Sequence, residues 1–313
     1  FVAHHGDLNN NISWGTLAVE RGLSGFYEGK DWPYSAPNQP PLTILIFAGV
    51  RIIWQAVENA SWWLNNNLTF FYSPFIWFWE GKGMDLLMKL PAIFADLGIG
   101  WIIYKYFKQK NKLKLGLKLS TLWLFNPVTW YNSAVWGQTD SLVNLIGLVA
   151  VFALLNKNLI KFGIFMTLSF LFKGSLTIFA PVFLAVGFLQ KHTLKTWLQA
   201  VSYSLITFVL VSIWFHPQVN VFSWIVNLYK QRILSGEIGF LTANAFNFWW
   251  LVDSGQTLDS NIFLGLPARI WGFVIAGIGT TGIIYWLRKK LSDKTLFFSL
   301  ASVALLTFLF MTR

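Results

Sequence analysis

The chain has 313 residues, 55% of them hydrophobic and only 12% charged, whereas soluble domains carry about 25% charged residues, so a soluble globular class is excluded. A formal net charge of +11 would suggest nucleic acid as partner in a soluble chain, but here the basic residues crowd into short connections between apolar runs, as cytoplasmic loops do under the positive-inside rule, and nucleic acid is not a partner. With no cysteine there is no disulfide frame, no thiol nucleophile and no thiolate metal site.

Apolar runs recur along most of the chain, and several approach the roughly 20 residues that a helix needs to cross a bilayer core of about 30 Å. Runs such as Leu142 to Leu155 and Ile270 to Leu287 are apolar on all sides, which a transmembrane barrel of period two does not tolerate. The fold class is therefore all-α, a polytopic transmembrane helix bundle, read as one integral-membrane domain over 1–313. The start at Phe1 and the stop at Arg313, directly after an apolar run, suggest a chain truncated at both ends.

In chain order, residues 1–40 form a first long external loop. Spans follow at about 41–58, 66–79, 85–107, 116–131, 141–156, 159–172, 175–190 and 196–215. A second long loop occupies 216–267, and the last spans lie at about 268–287 and 294–312. Lys105, Lys108, Lys110, Lys112, Lys114 and Lys118 mark one cytoplasmic connection. Lys157 with Lys161, Lys191 with Lys195, and Arg288, Lys289, Lys290 and Lys294 mark three more. Loops 1–40 and 216–267 then share the opposite face, and loops of that size in a compact bundle are usually functional. This assignment holds if spans 41–58 and 66–79 both cross or neither does, and fails if only one of them crosses.

On that face, His4-His5-Gly6-Asp7-Leu8 opens the first loop. The turn from Asn126-Pro127 to Trp136-Gly137-Gln138-Thr139-Asp140-Ser141 breaks one span at a proline and places tryptophan, glutamine and an acid where the next begins. Interfacial anchoring and helix capping account for Trp130, Trp136 and Asp140, but less well for Gln138. Lys173 lies between two apolar runs on a face otherwise poor in lysine, so it needs a water-filled cavity or an anion, the latter either a lipid headgroup or a substrate phosphate. Tyr229, Lys230 and Arg232 suit an interfacial helix. Asn244-Ala245-Phe246-Asn247-Phe248-Trp249-Trp250 suits a rim or a sugar-binding wall. Asp96, inside a span, is a functional candidate or a partner for a neighbouring helix. P-loop, GxGxxG, HExxH and GxSxG motifs are absent, so nucleotide, zinc-protease and serine-hydrolase readings have no support.

Taken together, Gly6-Asp7-Leu8 with Trp14, Pro40-Pro41-Leu42-Thr43, the Asn126 to Ser141 segment, Phe172-Lys173 and Asn244-Ala245-Phe246-Asn247 resemble the GT-C glycosyltransferases, most of all bacterial relatives of the GPI-anchor mannosyltransferases. The resemblance runs from Phe1 to Arg313. It implies a polyprenyl-phosphate sugar donor, an active site on the non-cytoplasmic face and an acid of the first external loop as general base, at the position of Asp7. A hexose, with mannose favoured, would pass with inversion to a hydroxyl of a glycan, lipid or protein acceptor. No metal and no cofactor is called for. On this reading Lys173, Arg313 and Lys230 meet the donor phosphate, and His5, Trp136, Gln138, Asp140 and Asn244 meet sugar or acceptor. The alternative is a transporter or flippase of a polyprenyl-linked glycan, with Arg51, Glu58 and Asp96 lining its path. Localisation is multi-pass in the membrane: the plasma membrane of a bacterium, or the endoplasmic reticulum of a eukaryote.

Overall fold

A computed structural model describes residues 6–216, 220–230, 239–242, 245–253 and 257–312. The chain is mostly helical and forms two compact units. The first comprises residues 1–150, 164–174 and 203–233, and the second comprises 151–163, 175–202 and 234–313.

The first external segment is not an open loop. Gly6–Glu20 folds as helix α1, followed by a short turn at Phe26–Glu28. Helix propensity does not favour this, since three asparagines stand in a row at positions 9–11. Packing overrides it: Leu8, Trp14 and Ala18 are buried at helical spacing. The face they form lies on α2, Pro41–Asn67, and a Cβ on Gly15 would stand 2.6 Å from the Phe47 carbonyl oxygen. Only glycine allows that approach. The rest of the segment is tied down by polar bonds, with the Trp14 indole donating to Ser35 O at 2.8 Å and the Tyr27 hydroxyl to Gln39 O at 2.7 Å.

The boundaries expected at 66–79 and 85–107 also change. Helix α3, Pro74–Phe78, runs through a wide π turn at Trp79–Gly83 into α4, Met84–Gln109, giving one continuous helix of 36 residues. Glu80-Gly81-Lys82-Gly83 reads as a connection by composition. Instead Glu80 takes the Trp62 indole at 3.1 Å, while Trp54 and Trp79 each donate to the other's carbonyl, at 3.3 and 3.1 Å. Pro74 at the helix start costs nothing, because its missing N–H has no intrahelical partner there.

Helix α5, Leu113–Leu124, stops short of the expected 131 because Asn126 and Pro127 begin a new turn. Helices α6 (Pro127–Trp130), α7 (Asp140–Leu155), α8 (Leu159–Phe172), α9 (Ala180–Leu189), α10 (Leu194–Ser212) and α11 (Val221–Leu228) follow. Of the helix expected over Val219 to Arg232, Val221–Leu228 is helical, and Val219 and Arg232 lie outside the described residues. Helices α12, Ala268–Leu287, and α13, Asp293–Phe310, end the chain.

In the second unit, Trp249 is fully buried and donates to Phe310 O at 2.7 Å, with Asn247 bonding Met311 O at 3.2 Å. Beside them, Ile262–Phe263 and Leu266–Pro267 pair as a two-residue hairpin. Its turn residues Leu264 and Gly265 both have positive φ, as a type I′ turn requires.

Among the described residues, five helices are long and apolar enough to cross a membrane: α2, the continuous α3–α4, α10, α12 and α13. Helices α7, α8 and the stretch Gly174–Leu189 are shorter and apolar. A mostly helical chain with several helices fit to span is compatible with the multi-pass all-α bundle expected from the sequence.

Candidate functional site

The site is built around one backbone bend in the first unit. Pro127 starts α6, with the Asn126 side chain accepting from Val128 N at 2.9 Å. The helix widens into a π turn at Tyr131–Trp136 and ends at Gly137, which is left-handed with φ 80° and ψ 30°. The Gln138 amide then returns to Asn132 O at 3.0 Å. Such wide turns interrupt regular helix at an energetic cost and concentrate at functional positions.

Below the bend, Asp96 of α4 is buried and ties its two flanks together. The Ser133 hydroxyl donates to one carboxyl oxygen of Asp96, and the Ser141 hydroxyl reaches the other at 2.8 Å. The two serine hydroxyls are 2.9 Å apart. The intramembrane acid is therefore a knot between α4, the π turn and the start of α7, the structural role open to it from sequence.

The bend delivers Trp136 and Gln138 to Asp7. The Trp136 indole N–H donates to Asp7 Oδ2 at 3.0 Å and the Gln138 Nε2 donates to the same oxygen at 2.7 Å. Asp7 lies in the first turn of α1, where the helix dipole favours a negative charge. It is exposed, and no described residue donates to its Oδ1. Glycine at position 137 is favoured chiefly by its backbone conformation, with a close but yielding approach beside it. Its left-handed φ suits no side chain well, and a Cβ there would lie 3.2 Å from Leu8 Cδ1 and 3.4 Å from Lys89 Cγ. Asn11 adds a longer contact, Nδ2 to Gly137 O at 3.5 Å.

Lys173 finds its anion within the chain: its Nζ is 2.7 Å from Asp140 Oδ1, with each side chain more than one-third exposed. This half-open ion pair sits at the end of α8, where Thr43, near the start of α2, donates to Phe172 O at 2.7 Å. The Pro41 to Thr43 and Phe172-Lys173 segments singled out by sequence are thereby joined. Close by, the Tyr229 ring stacks on Phe170 at 4.8 Å. Lys230 follows Tyr229 and is exposed. Burial holds the Tyr229 phenol above its ordinary pKa. Burial, then the Tyr229 and Glu28 charges, do the same for Tyr27.

Asp7, Trp136, Gln138, Asp140, Lys173 and Lys230 all belong to the first unit, the first three in one hydrogen-bonded cluster and Asp140 with Lys173 in a second. His5, Asn244 and Arg313 lie outside the described residues. Among the described residues, no group of three or more His, Asp or Glu side chains converges as a metal site would need.

One residue escapes sequence reasoning altogether. Lys89, on α4, is only 5% exposed and lies with its stem against Gly137. In the sequence it is a lysine four residues into an apolar run, which passes for an interfacial anchor. Its environment depends on a turn 48 positions away. No model of a known protein family matches the chain, and no curated protein matches it.

Proposed function

We propose that the chain is an inverting glycosyltransferase of the GT-C type, with a polyprenyl-phosphate hexose as donor and Asp7 as general base. The observation that carries this reading is the state of the acids around the bend. Asp96 is buried with both oxygens bonded to serines, and Asp140 is committed to Lys173. Asp7 is exposed and held by one oxygen only. A carboxylate oriented through Oδ2 can use Oδ1 to take a proton, which is the arrangement a general base needs.

In the reaction, the acceptor oxygen bonds to the anomeric carbon while the bond from that carbon to the phosphate oxygen breaks, its electron pair leaving with the phosphate. The acceptor proton passes to Asp7. The departing phosphate gains one negative charge as Asp7 loses one, so the leaving group calls for cations and hydrogen-bond donors more than for an acid. Lys173 supplies such a cation, in exchange with Asp140. A single base suits inversion, whereas a retaining double displacement would use a second carboxylate as nucleophile.

Placement on the non-cytoplasmic face draws support from α4. Lys89 and Lys105 are 16 residues apart on it, about 24 Å of helix rise. Gly137 packs at Lys89, and the lysine-rich turn follows the far end of the helix at Gln109. The pathway alternative loses two of its charges to local partners: Arg51 lies over the Trp54 ring at 4.5 Å and 3.8 Å from Glu20, and Asp96 is tied to its serines.

The test is Asp7→Asn, assayed for transfer from labelled polyprenyl-phosphate mannose or glucose by the full-length protein. The amide oxygen can still accept from Trp136 and Gln138, so folding and donor binding persist. Transfer should fall at least about 100-fold, the lower bound of a general base's contribution. Near-normal turnover would remove Asp7 from the mechanism, and donor movement across the bilayer without product would favour the flippase.

A further inference from the structure

We propose that the ammonium of Lys89 is the seat of a phosphate anion, that of the lipid-linked donor, beneath the Trp136–Gln138 bend; this assignment rests on the transferase reading above. Lys89 is 95% covered within an apolar helix while its ammonium keeps some contact with solvent, a setting that favours an anion or water beside the charge. No described carboxylate forms an ion pair with it. Asp140 is paired with Lys173, Asp96 is bonded to the serines, and Asp7, held through Oδ2 by the neutral Trp136 and Gln138, makes no ion pair with Lys89. Asp85, one turn back on α4, is the nearby acid on its own helix and lies outside ion-pair range.

The direction of the side chain places its charge at the site. Helical side chains lean toward the helix N-terminus, so Lys89 leans toward the Met84 end of α4. Along the way its Cγ and Cε pass 3.4 and 3.7 Å from the point where Gly137 would carry a Cβ. Nζ is one bond of about 1.5 Å further on, so it lies within about 5 Å of that point. The residues flanking Gly137 are the two donors to Asp7.

The first unit thus holds two cations on one four-residue bend, Lys89 at Gly137 and Lys173 at Asp140. Among the described residues, only the second has a counter-ion. A phosphodiester monoanion balances the first, and the charge it gains on departure is met by the second.

The experiment uses full-length protein in phosphatidylcholine nanodiscs and reads binding as the concentration of polyprenyl phosphate that raises the thermal midpoint half-maximally. Polyprenol, with the same tail and no phosphate, is the control. We expect Lys89→Met to weaken polyprenyl-phosphate binding at least tenfold, Lys89→Arg to bind within threefold of wild type, and Asp7→Asn to bind as wild type. Wild-type binding by Lys89→Met overturns the proposal. So does polyprenol acting as well as polyprenyl phosphate on the wild-type protein, a comparison that stands even if Lys89→Met does not fold. Saturation of the effect by phosphatidylglycerol alone assigns the anion to bulk lipid headgroups and overturns the donor site. Lys89-dependent phosphate binding without any sugar transfer leaves this site standing and removes the transferase. Transfer with unchanged donor KM in Lys89→Met does the reverse.

Discussion

Replacing Gly137 by alanine separates the bend from everything else that supports the site. The residue has φ 80° and ψ 30°, and a left-handed conformation costs a residue with a Cβ about 1–2 kcal/mol. The new methyl would also meet Leu8 Cδ1 at 3.2 Å and Lys89 Cγ at 3.4 Å. Both are flexible side-chain atoms that can move by a few tenths of an ångström, so the steric part adds little. Stability should therefore drop by about 1–2 kcal/mol, or about 2–5 °C in thermal midpoint for a chain of this size. The effect on transfer should be larger. Trp136 and Gln138 reach Asp7 at 3.0 and 2.7 Å from either side of this glycine, and a displacement of about 1 Å in a catalytic array costs on the order of 100-fold. Gly22→Ala is the matched control, since Gly22 has φ 82° and nothing within 4 Å of the added carbon. It should lose the same stability and keep full transfer. Thermal unfolding and labelled-sugar transfer on both variants decide the matter. Equal transfer by the two variants would refute the claim that the left-handed bend is what holds the donors on Asp7.

Asp96→Ala leaves two buried serine hydroxyls without their acceptor and should destabilise the chain by about 2–3 kcal/mol in thermal unfolding. Asp96→Asn keeps one acceptor oxygen and can donate to the other serine, so it should cost less than about 1 kcal/mol; equal losses would contradict the knot described here. Asp140→Asn frees Lys173 from a pair more than one-third exposed on both sides. Half-open pairs contribute about 0.2–1 kcal/mol, so the donor KM should fall by about 1.5- to 5-fold, and Lys173→Met should raise it. A donor KM indifferent to both would take Lys173 away from the phosphate. Stability should hold near neutral pH and decline once pH passes about 10, the ordinary phenol value, because the raised pKa values of Tyr27 and Tyr229 let only the unfolded chain shed those protons there. Melts between about pH 8 and 11 should show a shallower decline in the Tyr27→Phe, Tyr229→Phe double variant, and an unchanged slope would count against the two phenols.

What the sequence makes legible here depends on how far a residue's meaning travels along the chain. Apolar runs announce their helices locally, and the Trp136-Gly137-Gln138 turn is conspicuous by itself, whereas Asp7, about 130 residues away, is singled out only by the resemblance to the GT-C glycosyltransferases. Helix α1 is hidden because its own residues argue against it. Asn9, Asn10 and Asn11 are poor helix formers, and two of them are used elsewhere, Asn10 on Ser35 and Asn11 on Gly137. The continuity of α3 and α4 is hidden for the opposite reason. Glu80-Gly81-Lys82-Gly83 has the composition of a loop, and only the Trp54–Trp79 exchange with α2 shows that the helix passes through it.

The roles of the buried charges are the least local of all. Asp96 and Lys89 stand on one helix seven residues apart, about 10 Å of rise, and nothing in their immediate sequence distinguishes them. Asp96 meets two hydroxyls, one on each carboxyl oxygen. Lys89 meets the bare α-carbon of Gly137 and the methyl of Leu8 packed beside it, which satisfy its methylenes and leave its charge to be answered. The same turn that closes over the carboxylate thus leaves an ammonium one layer higher, on the Asp7 side. On the proposed reading, this arrangement sets an ammonium beside the base, where the donor's phosphate would be received.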